Sequence, residues 1–139
     1  MGPLPALASL ARQVEHHAFL QQRDLLSFCN DNGIVLMSYG GLAPLTKADA
    51  SKPTTPLMAL VSDLAAKYGV QQSHVLQRWM LQGGKGVVTT STKTSRIASA
   101  LKPFSFALTD AEVRQIDDAG AAAPEARYFF TQHHAAARL

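Results

Sequence analysis

The chain has 139 residues, of which 47% are hydrophobic and 17% charged, a composition typical of one soluble globular domain, here residues 1–139. Its net charge of +3 comes from 13 basic and 10 acidic residues spread along the chain, which speaks against nucleic acid as a partner. No apolar run approaches the ~20 residues of a membrane span, and the start has no basic targeting segment, so we expect a cytoplasmic protein.

The first part of the chain predicts a strand, a helix and a second strand. Residues 10–15 are compatible with an extended strand, and residues 23–32 carry apolar side chains at helical spacing. The helix ends at Asn32, and Gly33 can take the positive φ of a C-cap. Residues 34–37 form an apolar run typical of a parallel strand. Cys29, the only cysteine, is expected to be a buried, inert thiol.

The second part predicts more helices and a third strand. After a polar loop through residue 56, the spacing of apolar and turn residues predicts helices over 57–68, 73–82, 95–101 and 109–119 and a strand over 86–90. Ser73 is the expected N-cap of the second of these helices, with Trp79 in its core-facing side. Thr109 and Glu112 form the capping-box pattern before the last one.

Strands that alternate with helices predict βαβ units and a parallel sheet. The fold class is therefore α/β, with about three parallel strands and flanking helices, which is part of a barrel and not a closed one. Such a sheet leaves two edges unpaired and one face uncovered. We expect it to associate with a second copy of itself or with a complementary half-barrel.

Several separated blocks of this sequence resemble the aldo-keto reductases, from the sixth strand of their (β/α)8 barrel to the end. The blocks are Gln13-Val14-Glu15-His16-His17, Gly33-Ile34-Val35 with Ser38-Tyr39 and Leu42, Gln77-Arg78-Trp79, and Thr90-Ser91 with Arg96-Ile97. The Thr89 to Lys93 segment and the tail Arg127-Tyr128-Phe129-Phe130-Thr131 resemble the fungal members most. The resemblance implies a C-terminal half-barrel derived from NADP(H)-dependent carbonyl reductases.

The resemblance also implies cofactor-binding residues. Gln13 would bond the nicotinamide carboxamide, Tyr39 would stack on the nicotinamide ring, and Ser91 and Arg96 would bind the adenosine 2′-phosphate. Leu42 belongs to the same implied set. Four departures from the family pattern predict weakened NADP(H) binding, namely Arg12, Gly40, Thr90 and Ala100.

The family's catalytic tyrosine, with its lysine, aspartate and histidine, belongs to the first half of the barrel and has no counterpart here, so we expect no classical reductase activity from the lone chain. Glu15, His17 and Tyr39 are the remaining catalytic candidates. Glu15 and His17 alternate onto one strand face with Gln13, where they form either a structural hydrogen-bonded cluster or a base for a cyclisation, dehydration or isomerisation. A truncated pseudoenzyme or scaffold is a further alternative. The adjacent His16 and His17 point to opposite faces, so no metal site is predicted.

Overall fold

The computed structural model describes residues 11–47 and 54–131. Its sheet contains three parallel strands in the order β1-β2-β3, with β1 at Ala11–Glu15, β2 at Val35–Tyr39 and β3 at Gly86–Val87. Glu15 pairs with Tyr39, and Ser38 pairs with Val87. The predicted parallel sheet is confirmed. The third strand is shorter than predicted, because regular pairing ends at Val87, one backbone bond from Val88 to Ser38 follows, and residues 89–90 leave the sheet.

Six α-helices and one 3-10 helix flank the sheet in the described part of the chain. They are α1 (Arg23–Asp31), α2 (Ala43–Thr46), α3 (Pro56–Tyr68), α4 (Gln72–Gln82), α5 (Thr94–Ser99), the 3-10 helix (Lys102–Ser105) and α6 (Asp110–Ala121). The four-residue helix α2 was expected to be loop, since it is too short to show a periodic pattern. No helix within residues 11–47 and 54–131 is long and apolar enough to cross a membrane.

Local capping signals explain where the helices begin and end. Gly69 ends α3 with φ of 63°, and the Thr109 hydroxyl and Glu112 carboxylate bond each other's backbone N–H at the start of α6, both as predicted. The prediction that Ser73 is the N-cap of α4 is wrong, because the cap lies two residues before it. Its cap is Gln71, whose backbone N–H donates to Nδ1 of His74 over 3.2 Å.

The core lies between the sheet and helices α3, α4 and α6. Its fully buried side chains include Leu57, Val61, Leu76, Met80 and Ile116. Two contacts join α4 to the sheet: the His16 ring stacks on Trp79 with centroids 5.4 Å apart, and the Ser38 hydroxyl lies 3.1 Å from Sδ of Met80. Cys29 is also buried, as predicted.

The opposite face of the sheet, here called the inner face, is only partly covered. β2 is the central strand, yet Val35 is 50% exposed while its neighbour Leu36 is buried. The pairing also leaves one side of β1 and one side of β3 without a strand neighbour in the part of the chain that the structure describes. The observed architecture is thus an α/β half-barrel with three parallel strands and flanking helices.

His16 is a buried titratable group of this core, and neither of its ring nitrogens has a hydrogen-bond partner among the described residues. Burial, aided by the positive charge of Lys85, lowers the pKa of His16 to about 3. In the unfolded chain the same group has a pKa near 6.5. Between these values the unfolded state binds a proton that the folded state does not, so stability falls as the pH falls.

We expect the free energy of unfolding to decrease from pH 6.5 downwards, with His16 contributing up to about 1.4 kcal/mol per pH unit. His16→Phe keeps an aromatic ring against Trp79 and removes the titration, so its stability should fall less over the same range. Urea denaturation followed by circular dichroism between pH 7 and about 4 measures both curves. Parallel curves for the two proteins would show that His16 does not cause the acid sensitivity.

Candidate cofactor-binding site

The carboxyl ends of β1 and β2 bring three predicted site residues together. Parallel strands end at the same edge of a sheet, so Glu15 at the end of β1 lies beside Tyr39 at the end of β2. His17 follows two residues after Glu15, and its Nε2 lies 3.1 Å from a Glu15 carboxylate oxygen. The predicted Glu15 and His17 contact is confirmed, and both side chains are buried.

Glu15 fastens the segment 127–131, here called the aromatic tail, to the sheet. One carboxylate oxygen accepts the backbone N–H of Tyr128 over 2.7 Å, and the other accepts that of Phe129 over 3.3 Å. With His17 as third partner, this buried carboxylate is satisfied within the protein, as a buried charge must be. The residue therefore acts as an anchor for the tail in this structure.

Tyr39 is half-buried, and two phenylalanines of the aromatic tail touch its ring edge-on. The centroid of Phe129 lies 5.9 Å and that of Phe130 6.3 Å from the Tyr39 centroid. Burial and the nearby Glu15 charge raise the pKa of Tyr39. The next residue, Gly40, has φ of 67°, and a Cβ on it would come within 2.7 Å of the Phe129 ring. Gly40, one of the four departures from the family pattern, thus makes room for the tail.

The two histidines contact different partners, as their predicted opposite directions require. His16 stacks on Trp79 in the core, whereas His17 lies against the Tyr128 ring with centroids 5.3 Å apart. Burial lowers the pKa of His17, against the opposing effect of Glu15. Across residues 11–47 and 54–131 there is no group of three His, Cys, Asp or Glu side chains placed to hold a metal ion.

Gln13 lies on β1 beside Met37, two residues before Glu15, and its side chain is exposed. It therefore stays accessible from the inner face, but the structure does not bring it into the hydrogen-bonded Glu15 and His17 cluster.

The other predicted cofactor residues meet at a separate cavity of about 480 Å³, which we call the α4–α5 cavity. Leu42, Ser91 and Arg96 all line it. Six hydroxyl side chains also face it, from Thr46, Ser73, Thr89, Thr90, Ser91 and Ser99. Arg96 lies in the exposed first part of α5, and no carboxylate is among the lining residues. A cavity rich in hydroxyl donors with one guanidinium suits a phosphate-bearing ligand.

Sequence reasoning missed the contribution of α4 to this cavity. Ser73, His74 and Gln77 all line it from α4, where Ser73 was expected only as an N-cap and Gln77 only as part of a block that resembles the family. Polar residues at positions 73 and 77 are four apart, a spacing that places them on one helix face. That pattern was the available signal.

The sequence pattern of the Aldo/keto reductase family matches residues 6–121. The half-barrel with its site at the carboxyl ends of parallel strands therefore belongs to the aldo/keto reductase family. A NADPH-dependent alpha-keto amide reductase of Saccharomyces cerevisiae is 36% identical over 110 residues, covering 78% of this chain and 35% of that protein. A probable NAD(P)H-dependent D-xylose reductase, xyl1 of Emericella nidulans, is 32% identical, with 76% of this chain and 35% of that protein covered.

Solved structures agree with this assignment. The Bombyx mori aldo-keto reductase in complex with NADP superimposes with a TM-score of 0.69 and 26% identity, over 78% of this chain and 36% of that chain. A Gox0644 mutant in complex with NADPH gives a TM-score of 0.67 over 86% of this chain and 44% of that one, and at 24% identity it supports the fold alone. The chain spans about a third of the length of the curated relatives, at 35% each.

Replacing Glu15 by alanine should release the aromatic tail. The Tyr128 and Phe129 N–H groups would lose a charged acceptor, which costs about 1.5 to 3 kcal/mol. Their amide hydrogens should then exchange roughly tenfold or more faster, which hydrogen exchange with mass spectrometry measures. Asp118→Ala is the matched control, because Asp118 is an exposed carboxylate on α6 and does not accept those amides. Equal protection in Glu15→Ala and the wild-type protein would refute the anchor.

Proposed function

We propose that this chain forms the cofactor-holding part of an NADP(H)-dependent carbonyl reductase of fungal type, and that alone it binds NADP(H) weakly and performs no classical carbonyl reduction. One observation carries the proposal: Leu42, Ser91 and Arg96, expected from family resemblance alone, line a single cavity in the structure. The named relatives that are NADPH- or NAD(P)H-dependent support the choice of cofactor.

The α4–α5 cavity fits the phosphate-bearing end of NADP(H). The Arg96 guanidinium would make charge-assisted bonds to the 2′-phosphate, and the Ser91 hydroxyl would donate a further one. Ser91 accepts the backbone N–H of Lys93 over 3.0 Å, which leaves its own proton for a phosphate oxygen. With no carboxylate among the lining residues, no like charge opposes the ligand.

The nicotinamide end fits less well in this structure. Gln13 is accessible for the carboxamide, but Tyr39 already contacts Phe129 and Phe130 of the aromatic tail. A nicotinamide ring on Tyr39 would have to displace at least part of these aromatic contacts. This cost, together with the departures from the family pattern at Arg12 and Thr90, supports weak binding of NADP(H).

Proton donation is the step for which these residues are poorly suited. NADP(H) supplies hydride transfer when bound, and the carbonyl oxygen then needs an acid beside it. The chain has three tyrosines, and the pKa of Tyr39, of Tyr68 and of Tyr128 is raised, mainly by burial for Tyr39 and Tyr128 and by the bond to Glu112 for Tyr68. Loss of general-acid assistance lowers such rates by about 10² to 10⁴-fold.

Titration of the purified chain with NADPH, followed by fluorescence, tests the proposal. Arg96→Ala should raise the Kd for NADPH by roughly ten- to a hundredfold, since it removes charged hydrogen bonds to the 2′-phosphate. The same change should leave binding of NADH, which lacks that phosphate, nearly unaltered. Arg114→Ala is the matched control, because Arg114 is exposed on α6 and does not line the cavity.

Two results would contradict this function. If Arg96→Ala lost affinity for NADPH and NADH equally, Arg96 would not bind the 2′-phosphate, and the cavity would not be the phosphate site. A carbonyl-dependent loss of NADPH absorbance by the lone chain, at rates typical of enzymes, would show that a proton donor is present after all.

A second function is favoured by the buried pair of Glu15 and His17. Because Nε2 of His17 contacts Glu15, Nδ1 carries the free lone pair, and it has no partner among the described residues. An imidazole oriented by a carboxylate in this way can act as a base. In a self-associated half-barrel, or one completed by a partner half, this pair would act on a small-molecule substrate without cofactor, in a cyclisation, dehydration or isomerisation.

This second function requires association through the inner face. Val35→Lys places a charge on that face, where Val35 is 50% exposed, and should convert an associated species into a monomer. Sedimentation of the wild-type protein and of the variant measures this. Phe28→Lys is the control, because Phe28 is similarly exposed, at 54%, but lies on α1 and not on a strand. A folded wild-type monomer at all accessible concentrations would exclude self-association.

A further inference from the structure

Gln77 is a buried polar residue in the wall of the α4–α5 cavity. It lies one helical turn after Ser73 on α4, is only 5% exposed and lines the cavity. Its Oε1 atom is buried and has no hydrogen-bond partner among the described residues. The residues on either side of it, Leu76 and Arg78, do not share this state: Leu76 is apolar core, and Arg78 bonds Gln82 and the Pro103 carbonyl.

A buried amide oxygen without a hydrogen-bond partner costs stability, and an apolar residue of the same size would avoid this cost. The neighbouring polar groups do not relieve it. Nδ1 of His74 accepts the Gln71 N–H, and Nε2 of His74 lies 2.7 Å from the Ser99 hydroxyl, so this histidine is already satisfied. The state of Gln77 is accounted for if a ligand in the cavity supplies the missing donor.

The unsatisfied Oε1 of Gln77 is an acceptor, so it can bind only a part of a ligand that donates a hydrogen bond. A phosphate offers only acceptor oxygens at neutral pH, so it suits Arg96 and the hydroxyls and not Oε1 of Gln77. The adenine ring offers its exocyclic N6 amino group as a donor next to the acceptor N7. A glutamine amide pairs with this edge through two bonds, with Oε1 accepting from the amino group and Nε2 donating to the ring nitrogen.

We propose that Gln77 is the specificity residue of the α4–α5 cavity and reads the adenine base of NADP(H) through these two hydrogen bonds. The inference rests on the proposed cofactor site and adds to it the recognition of the base. The last torsion of a glutamine side chain is broad, so the amide turns towards a bound ring at little cost.

The test compares NADPH with the analogue that carries hypoxanthine in place of adenine. The analogue has an oxygen where adenine has its amino group, so it sets one acceptor against Oε1. Turning the amide over lets Nε2 donate to that oxygen but sets Oε1 against the acceptor N7, so one mismatch remains. The wild-type chain should bind NADPH about tenfold more tightly than the analogue, as one to two lost hydrogen bonds imply.

Gln77→Met replaces the amide with an apolar side chain of similar size. It should weaken NADPH binding about tenfold and bring the ratio of the two affinities close to one. Thermal unfolding of this variant should occur at or above the wild-type temperature, because an unsatisfied buried group has been removed. Gln115→Met, at an exposed position on α6, should leave both the ratio and the affinities unchanged.

The outcomes separate this inference from the function on which it rests. NADPH binding that depends on Arg96 but does not distinguish the analogue, measured on the wild-type chain alone, would overturn the role of Gln77 and leave the cofactor site standing. An undiminished ratio in Gln77→Met would overturn it as well. If the wild-type chain bound neither NADPH nor the analogue, both the role of Gln77 and the proposed cofactor site would be overturned.

Discussion

Parallel hydrogen bonding of β2 to both of its neighbours is the constraint on which the rest of the structure depends. It aligns Glu15 with Tyr39 and Ser38 with Val87, and it ends all three strands at one edge. The loop after β2 and the segment after β3 consequently leave the sheet side by side. Through them Leu42 and Ser91 reach one cavity, although 49 positions separate them in sequence.

Satisfaction of buried charge explains which polar groups hold the fold together. The Glu15 carboxylate is bonded by His17 and two tail amides. Burial raises the pKa of Glu112, but bonds from Lys67, Thr109 and Tyr68 outweigh it and lower that pKa to about 2. Thus one carboxylate fixes the aromatic tail, and the other joins α6 to α3. His16 and Gln77 lack such partners, so they cost stability in a way that these two carboxylates do not.

Local signals in the sequence were sufficient for most of the fold. Gly33 and Gly69 each have positive φ at a helix end, and Thr109 caps α6, because glycine conformations and capping boxes involve only neighbouring residues. Alternation along β1 likewise predicted the contact of Glu15 with His17. The cap of α4, the early end of β3 and the position of Gln77 could not be predicted so directly. They depend on contacts with residues far along the chain, which a local pattern does not contain.

The two ends of the proposed cofactor site differ in how far they are preformed. At the adenosine end, α4 is packed on the core through Trp79 and Met80, so the cavity wall that carries Gln77 is already in place without a ligand. At the nicotinamide end, Gly40 admits Phe129 against Tyr39, and a ligand must compete with that contact. Binding to a preformed wall avoids the cost of reorganisation, whereas displacement of the tail adds to it. The adenosine end should therefore supply most of the affinity, and Glu15, which anchors the tail, should limit the contribution of the nicotinamide.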